Sequence, residues 1–250
     1  MVNIHSEMYT MYDLAPQHII MFLQHLIASY SISKPTHILD VGCGPGRLLH
    51  PLTKMATHIT GIDPDQYYVD YAKQLTHEDD RIHVLQGGFA EIDAKETYDL
   101  VAAVNAPFAY LLDDTSRIDA LKRMYHALTK AGILFLEIPN FLYRLKRYRQ
   151  AEDSILHDEA GREIRRVIRH DIDLHHATWT HIDQFYIESI LQSTQVHKMS
   201  IITVPHLIQL IKQCGFTEIR TFNSYGNRTS QPIKGEKILI SAQKPDTPLY

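Results

Sequence analysis

The apolar pattern predicts an α/β fold: a doubly wound, mostly parallel seven-stranded sheet carrying a small antiparallel cap. Three observations predict it. Short apolar runs alternate with amphipathic stretches between residues 37 and 138, as strands covered by helices on both faces require. A glycine-rich turn, Gly42 to Gly46, directly follows the first run. After the fifth run the alternation stops, and residues 164–203 become rich in Thr, Ile, Val, Tyr and His, a strand composition.

Residues 14–30 read as an amphipathic helix, with Ile19, Ile20, Phe22, Leu23, Leu26 and Ile27 at helical spacing. Residues 37–41 form the first strand, 47–55 a helix, and 59–62 the second strand, ended by Asp63-Pro64. Residues 67–75 are the next helix, 82–85 the third strand and 98–104 the fourth. A helix over 115–128 carries the stripe Ile118, Leu121, Met124, Tyr125 and Leu128. The Lys130-Ala131-Gly132 turn leads to the fifth strand, 133–138. Residues 140–149 read as an amphipathic solvent-facing helix. Three antiparallel strands follow at 164–172, 174–187 and 193–203. A helix opens at Pro205 and is capped by Gly215. Residues 216–222 and 237–243 are the closing strands, on either side of a loop, and 245–250 a loose tail. Residues 1–140 and 204–250 therefore make the core, and 141–203 the inserted cap.

Composition narrows the function classes. The chain has 250 residues, 44% of them hydrophobic, enough for one core. A net charge of -4 argues against a large nucleic-acid footprint, although arginines cluster at 144–149 and 162–169. Two cysteines, Cys43 and Cys214, are too few for a disulfide framework or a metal cluster, and no metal site is expected. The start of the chain lacks a signal pattern and no apolar run is long enough for a membrane span, so a cytoplasmic protein is expected.

The informative unit is His37-Ile-Leu-Asp-Val-Gly-Cys-Gly-Pro-Gly-Arg47. Gly42, Gly44 and Gly46 let the backbone turn sharply and approach a ligand closely. Asp63 ends the second strand, where a carboxylate grips the hydroxyls of an adenosine ribose. Asp40, beside the loop, would repel a pyrophosphate and suits a cationic amino-acid ligand.

Asp40 through Gly46 resembles the first motif of class I S-adenosylmethionine-dependent methyltransferases, and the likeness runs over residues 36–140 and the Gly215-Phe216 ending. The resemblance implies S-adenosyl-L-methionine as cofactor and S-adenosyl-L-homocysteine as product, with Asp40, Gly42, Cys43, Gly44 and Gly46 around its methionine and ribose. It implies Asp63 on the ribose hydroxyls and Ile62 or Pro64 near adenine. Gly88 stands where the family often carries Asp, so adenine recognition falls to Phe89 or Gln86. Asn105 and Phe108 resemble the family's wall between cofactor and acceptor, and Tyr9, Tyr12 and Asp13 its N-terminal lid. Small-molecule members are the nearest resemblance, implying methylation of a metabolite nitrogen or oxygen.

The cap is the natural acceptor cover. Alternation along its middle strand puts His175, Ala177, Trp179, His181, Asp183 and Phe185 on one face. His181, oriented by Asp183, is the first candidate for a base, with His176 or His170 as alternatives. Tyr12, Phe108, Tyr143, Arg144, His175 and Trp179 are candidate acceptor contacts. A small-molecule acceptor is the expected partner, and the cap can also serve a homodimer. Two other readings compete: an enzyme methylating tRNA, carried by the arginine clusters, and a non-catalytic S-adenosylmethionine-binding subunit.

Overall fold

A computed structural model describes residues 16–30, 32, 35–158, 161–226 and 233–247. Tyr9, Tyr12 and Asp13, expected to form a lid, lie outside them. Among the described residues, eleven strands form two sheets. The larger has seven strands: β1 His37–Val41, β2 His58–Asp63, β3 Ile82–Gln86, β4 Tyr98–Ala103, β5 Leu128–Pro139, β10 Thr217–Phe222 and β11 Lys237–Gln243. Their order is β10-β11-β5-β4-β1-β2-β3. The β1, β2, β3, β4 and β5 pairings are parallel. Strand β11 runs antiparallel to both β5 and β10. Chain order reverses between β1 and β4, which opens a crevice at their carboxyl ends.

Helices cover both faces. On one lie α1 Pro16–Ser29, the short α2 Leu49–Leu52 and α3 Gln66–Thr76. On the other lie α4 Asp114–Ala127 and α6 Val204–Gln213. The predicted stripe of α1 is buried in full. Phe22 sets its place, packing at 5.5 Å from Phe135, 5.1 Å from Phe222 and 5.4 Å from Tyr225. Tyr30 adds a polar clamp, donating to Glu218 O at 2.6 Å.

The cap is a separate antiparallel sheet ordered β6-β7-β8-β9, with β6 Ala151–His157, β7 Glu163–Asp173, β8 Thr178–Ile187 and β9 Ile190–Ser200. It has four strands where the sequence predicts three. The extra strand, β6, is an edge strand exposed almost throughout, so it carries no apolar alternation. The predicted helix over 140–149 shrinks to α5 Phe141–Arg144 and a 3₁₀ turn.

The predicted strand 174–187 starts later, at Thr178. Asp173 accepts from the backbone N–H of His175 at 2.9 Å and of His176 at 3.1 Å, which turns the chain there. His175 and His176 are therefore exposed turn residues. The β8–β9 link is a two-residue turn, Glu188–Ser189, with both φ positive, as a hairpin's twist demands. Trp179, 4% exposed, stacks on Phe141 at 5.1 Å and meets Tyr148 edge-on at 5.6 Å. It anchors the cap to the segment after β5.

Candidate active site

The carboxyl ends of β1, β2 and β4 surround a cleft of about 340 Å³. Gly42, Gly44, Asp63, Pro64, Gly88, Phe89 and Asn105 line it, all named from the sequence. Tyr68, Pro107, Tyr110, Leu111, Gln195 and His197 are also part of the wall. A small recess that shares Gly42, Gly44 and Asn105 with the cleft is also lined by Asp40, Cys43, Pro45 and Arg47.

Backbone geometry explains the glycines. Gly42 has φ +72°, and a Cβ there would lie 2.6 Å from Pro107 Cβ. Gly42→Ala is therefore expected to push the 104–107 loop away and to cost about 1–3 kcal/mol of stability, read from a denaturant melt. Gly44 has φ +54° and open space where a Cβ would stand, so the loop offers bare backbone to the cleft.

Asp63 is tied to this loop. Its Oδ2 accepts from Gly44 N–H at 2.8 Å and its Oδ1 from Asp65 N–H at 2.9 Å. Burial raises its pKa, opposed by those two hydrogen bonds. Burial also pushes Asp40 up to about 7, with Arg47 opposing and Asp63 reinforcing. Two carboxyl groups, both under-stabilised as anions, thus flank the glycine loop. A cationic ligand would relieve both.

The far wall is held from below. Asn105 and Ala106 are consecutive left-handed residues, φ 65° and 72°, a costly arrangement for residues with a Cβ. Glu137, 2% exposed on β5, pins them. Its carboxylate accepts from Asn105 N–H at 3.1 Å and from the Tyr225 hydroxyl, and pairs with Lys237 at 2.6 Å. Burial first, then the Glu137 carboxylate, raises the Tyr225 pKa, which keeps that donor protonated. Neither residue was named from the sequence: Glu137 sits inside the apolar run of β5, and Tyr225 in the loop between β10 and β11, which no periodicity marks.

The adenine-side geometry suits an aromatic ligand. Phe89 packs edge-on against Phe108 at 5.8 Å, with Pro64 and Leu111 as further apolar wall. Phe108 is fully buried and supports Phe89 from behind. Gly88 N–H donates to Glu91 Oε2 at 2.6 Å. Cys43 is buried with its thiol pKa raised by burial and by Asp40 and Asp63, so it stays a neutral filler.

The cap turns one face toward the core. Glu152, Arg166, His170, Trp179, His181, Asp183, Gln195 and His197 share that face by register. Asp183, 1% exposed, takes a bidentate grip from Arg166 at 2.5–3.0 Å. His181 Nε2 is 3.8 Å from Asp183 Oδ2. Despite burial, Arg166 and His181 hold the Asp183 pKa down to about 2. Gln195 and His197, not His181, reach the cleft wall. His176 points to Asp173, with Nδ1 at 2.5 Å from Oδ2. Tyr143 and Arg144 lie on the segment leading into the cap and are half-buried. Among the described residues no group of His, Cys, Asp and Glu is arranged to hold a metal ion.

Residues 38–132 match the family described as a methyltransferase domain. The chain superimposes on an S-adenosylmethionine-dependent methyltransferase from Clostridium acetobutylicum ATCC 824 with a TM-score of 0.83, over 97% of this chain and 100% of that one, at 13% identity. The chain has the class I S-adenosylmethionine-dependent methyltransferase fold. A second methyltransferase of this fold, the sugar N-methyltransferase KedS8 from Streptoalloteichus sp ATCC 53650, matches 98% of this chain and 94% of its own, with 15% identity and a TM-score of 0.77. Among curated relatives, putative methyltransferase YqeM of Bacillus subtilis (strain 168) is 23% identical over 87% of each chain. Putative methyltransferase GWCH70_2453 of Geobacillus sp. (strain WCH70) is 26% identical over 47% of this chain, which spans about half (48%) of that relative. In this methyltransferase fold the glycine loop, Asp63 and the 104–107 wall surround one cleft.

Proposed function

We propose that the protein transfers a methyl group from S-adenosylmethionine to a nitrogen or oxygen of a small-molecule metabolite. The observation that carries this reading is the pairing of the glycine-loop cleft with a polar roof, Gln195 and His197, supplied by the cap. Asp63 takes the ribose hydroxyls, Asp40 draws the amino group of the methionine part, and Pro64, Phe89 and Leu111 clasp adenine. When bound, the cofactor supplies a sulfonium-activated methyl group. The protein's residues align the acceptor beneath the cap and keep water out. The cap residues that reach the cleft, Gln195 and His197, suit a polar acceptor bearing an amine or hydroxyls. The solved sugar N-methyltransferase KedS8, with its similar fold, supports that class.

The arginine clusters give the tRNA reading little support. Arg162, Arg165 and Arg166 are paired with Asp158, Asp153 and Asp183, and Arg165 and Arg166 project to opposite faces of β7. No helix among the described residues is long and apolar enough to cross a membrane.

The test uses methyl-labelled S-adenosylmethionine with a cell extract separated into small-molecule, RNA and protein fractions. Label in the small-molecule fraction is expected. Label confined to RNA overturns the reading, and cofactor binding without transfer to any fraction favours a non-catalytic subunit.

Cofactor affinity is also expected to depend on pH. Asp40 titrates near 7, so it loses its charge as pH falls through that value. S-adenosylhomocysteine should bind about tenfold more weakly at pH 6 than at pH 8. Calorimetry with Asp40→Asn, which lacks the titrating group, should flatten that dependence.

A further inference from the structure

The roof of the cleft holds a phenol joined to an imidazole. The Tyr110 hydroxyl lies 2.7 Å from His197 Nδ1, and both residues line the cleft. Their positions come from different sheets. Tyr110 ends the 3₁₀ turn Pro107–Tyr110 that follows the left-handed Asn105–Ala106 step. His197 lies on β9 of the cap. The two elements are clamped at a second point, where the Ser200 hydroxyl donates to Ala109 O at 3.1 Å. The pair is therefore held by a closed frame rather than by one flexible contact.

The surroundings of His197 favour its neutral form. Across β8 stand His181, directly opposite in register with ring centroids 5.9 Å apart, and Asp183. From β7 comes Arg166, bound to Asp183. Behind His181 lies His170, whose Nδ1 accepts from the Trp179 indole N–H at 3.0 Å, so that nitrogen carries no proton. Burial and the neighbouring His181 lower the His197 pKa; Asp183 opposes and Arg166 reinforces. A neutral His197 with an unprotonated Nδ1 accepts the Tyr110 hydroxyl proton.

We propose that Tyr110 and His197 form a two-link relay that removes the proton released by the acceptor. This rests on the methyl-transfer reading above. When an acceptor nitrogen or oxygen gains the methyl group, the electron pair of the broken carbon–sulfur bond stays on sulfur. The acceptor is then left with one proton too many. That proton passes to Tyr110 Oη as the phenol's own proton passes to His197 Nδ1. The phenol ends unchanged, and the imidazolium returns the proton to solvent. A relay is useful here because the cap that shields the methyl group from water also removes water as the proton acceptor. His181 stands one strand back and acts through His197, as a positioning residue.

The experiment has two arms. In the first, the protein with ¹⁵N-labelled histidine is saturated with S-adenosylhomocysteine, and His197 is assigned by loss of its signal in His197→Gln. The relay requires a hydrogen-bonded, unprotonated Nδ1 at pH 7 that titrates below the ordinary histidine range, and a changed Nδ1 shift in Tyr110→Phe. A His197 protonated at pH 7, or one indifferent to Tyr110→Phe, overturns the proposal whether or not an acceptor is known. In the second arm, label transfer from methyl-labelled S-adenosylmethionine to the small-molecule fraction is followed for the parent and both variants. Tyr110→Phe and His197→Gln are each expected to lower the transfer rate about 100-fold, and the fall in rate at low pH is expected to be lost in His197→Gln. Full transfer rates in both variants overturn the relay and leave the methyl-transfer reading intact. Failure of the parent to bind S-adenosylhomocysteine overturns both.

Discussion

Asp63→Ala is expected to weaken S-adenosylhomocysteine binding by at least about 100-fold. Two ribose hydroxyls would lose a charged acceptor, and hydrogen bonds to charged groups contribute roughly 1.5–3 kcal/mol each. Each factor of ten in affinity corresponds to about 1.4 kcal/mol. The same change removes the acceptor for Gly44 N–H and Asp65 N–H. The glycine loop then loses its tie to the end of β2. Asp63→Asn separates the two effects, because its amide oxygen still accepts one backbone N–H while the charge is gone. Calorimetry should show both variants impaired in binding, and a thermal melt should show Asp63→Ala as the less stable. An Asp63→Ala variant that binds S-adenosylhomocysteine like the parent would remove Asp63 from the cofactor site.

The largest effect on stability is expected at Glu137. Replacing it by Ala leaves Lys237, the Tyr225 hydroxyl and Asn105 N–H without the carboxylate that joins them. Breaking a buried pair by removing one partner costs about 3–5 kcal/mol, a fall in melting temperature on the order of 10 °C for a chain of this size. The consequence reaches the cleft, since the left-handed Asn105–Ala106 step is strained and needs that support. Cofactor affinity should fall along with stability. Glu137→Gln combined with Lys237→Met removes both charges together and should recover part of the lost stability. Equal melting temperatures for Glu137→Ala and the parent would show that the cluster holds nothing in place.

The parallel core was legible because strands buried on both faces read as continuous apolar runs, and Gly42, Gly44, Gly46 and Asp63 keep fixed places relative to them. The cap was harder. β6 is an exposed edge with no alternation to find. The start of β8 was misplaced because alternation does not mark where a strand begins, although Asp173, able to cap a turn, was a usable signal. His197 was hidden by register. The sequence places residue 197 on a strand, but the Glu188–Ser189 turn lacks the Asn-Gly pattern that would fix which β9 residue faces His181. A register shift between Phe185 and Tyr186 adds a further offset. Tyr110 sits on a 3₁₀ turn, which no periodicity announces.

The place of β11 in the large sheet bears on how the chain reaches its native state. β11 fills the gap between β5 and β10, yet it is synthesised only after the whole cap and α6. Until residues 237–243 leave the ribosome, one edge of β5 has no partner, and Leu134, Leu136 and Ile138 lie along it. An unpaired apolar edge invites pairing with other chains. The cap, whose antiparallel hairpins close locally, has the shorter contacts and can form while that edge waits. The hazard of aggregation therefore falls late in synthesis, between completion of the cap and capture of β11.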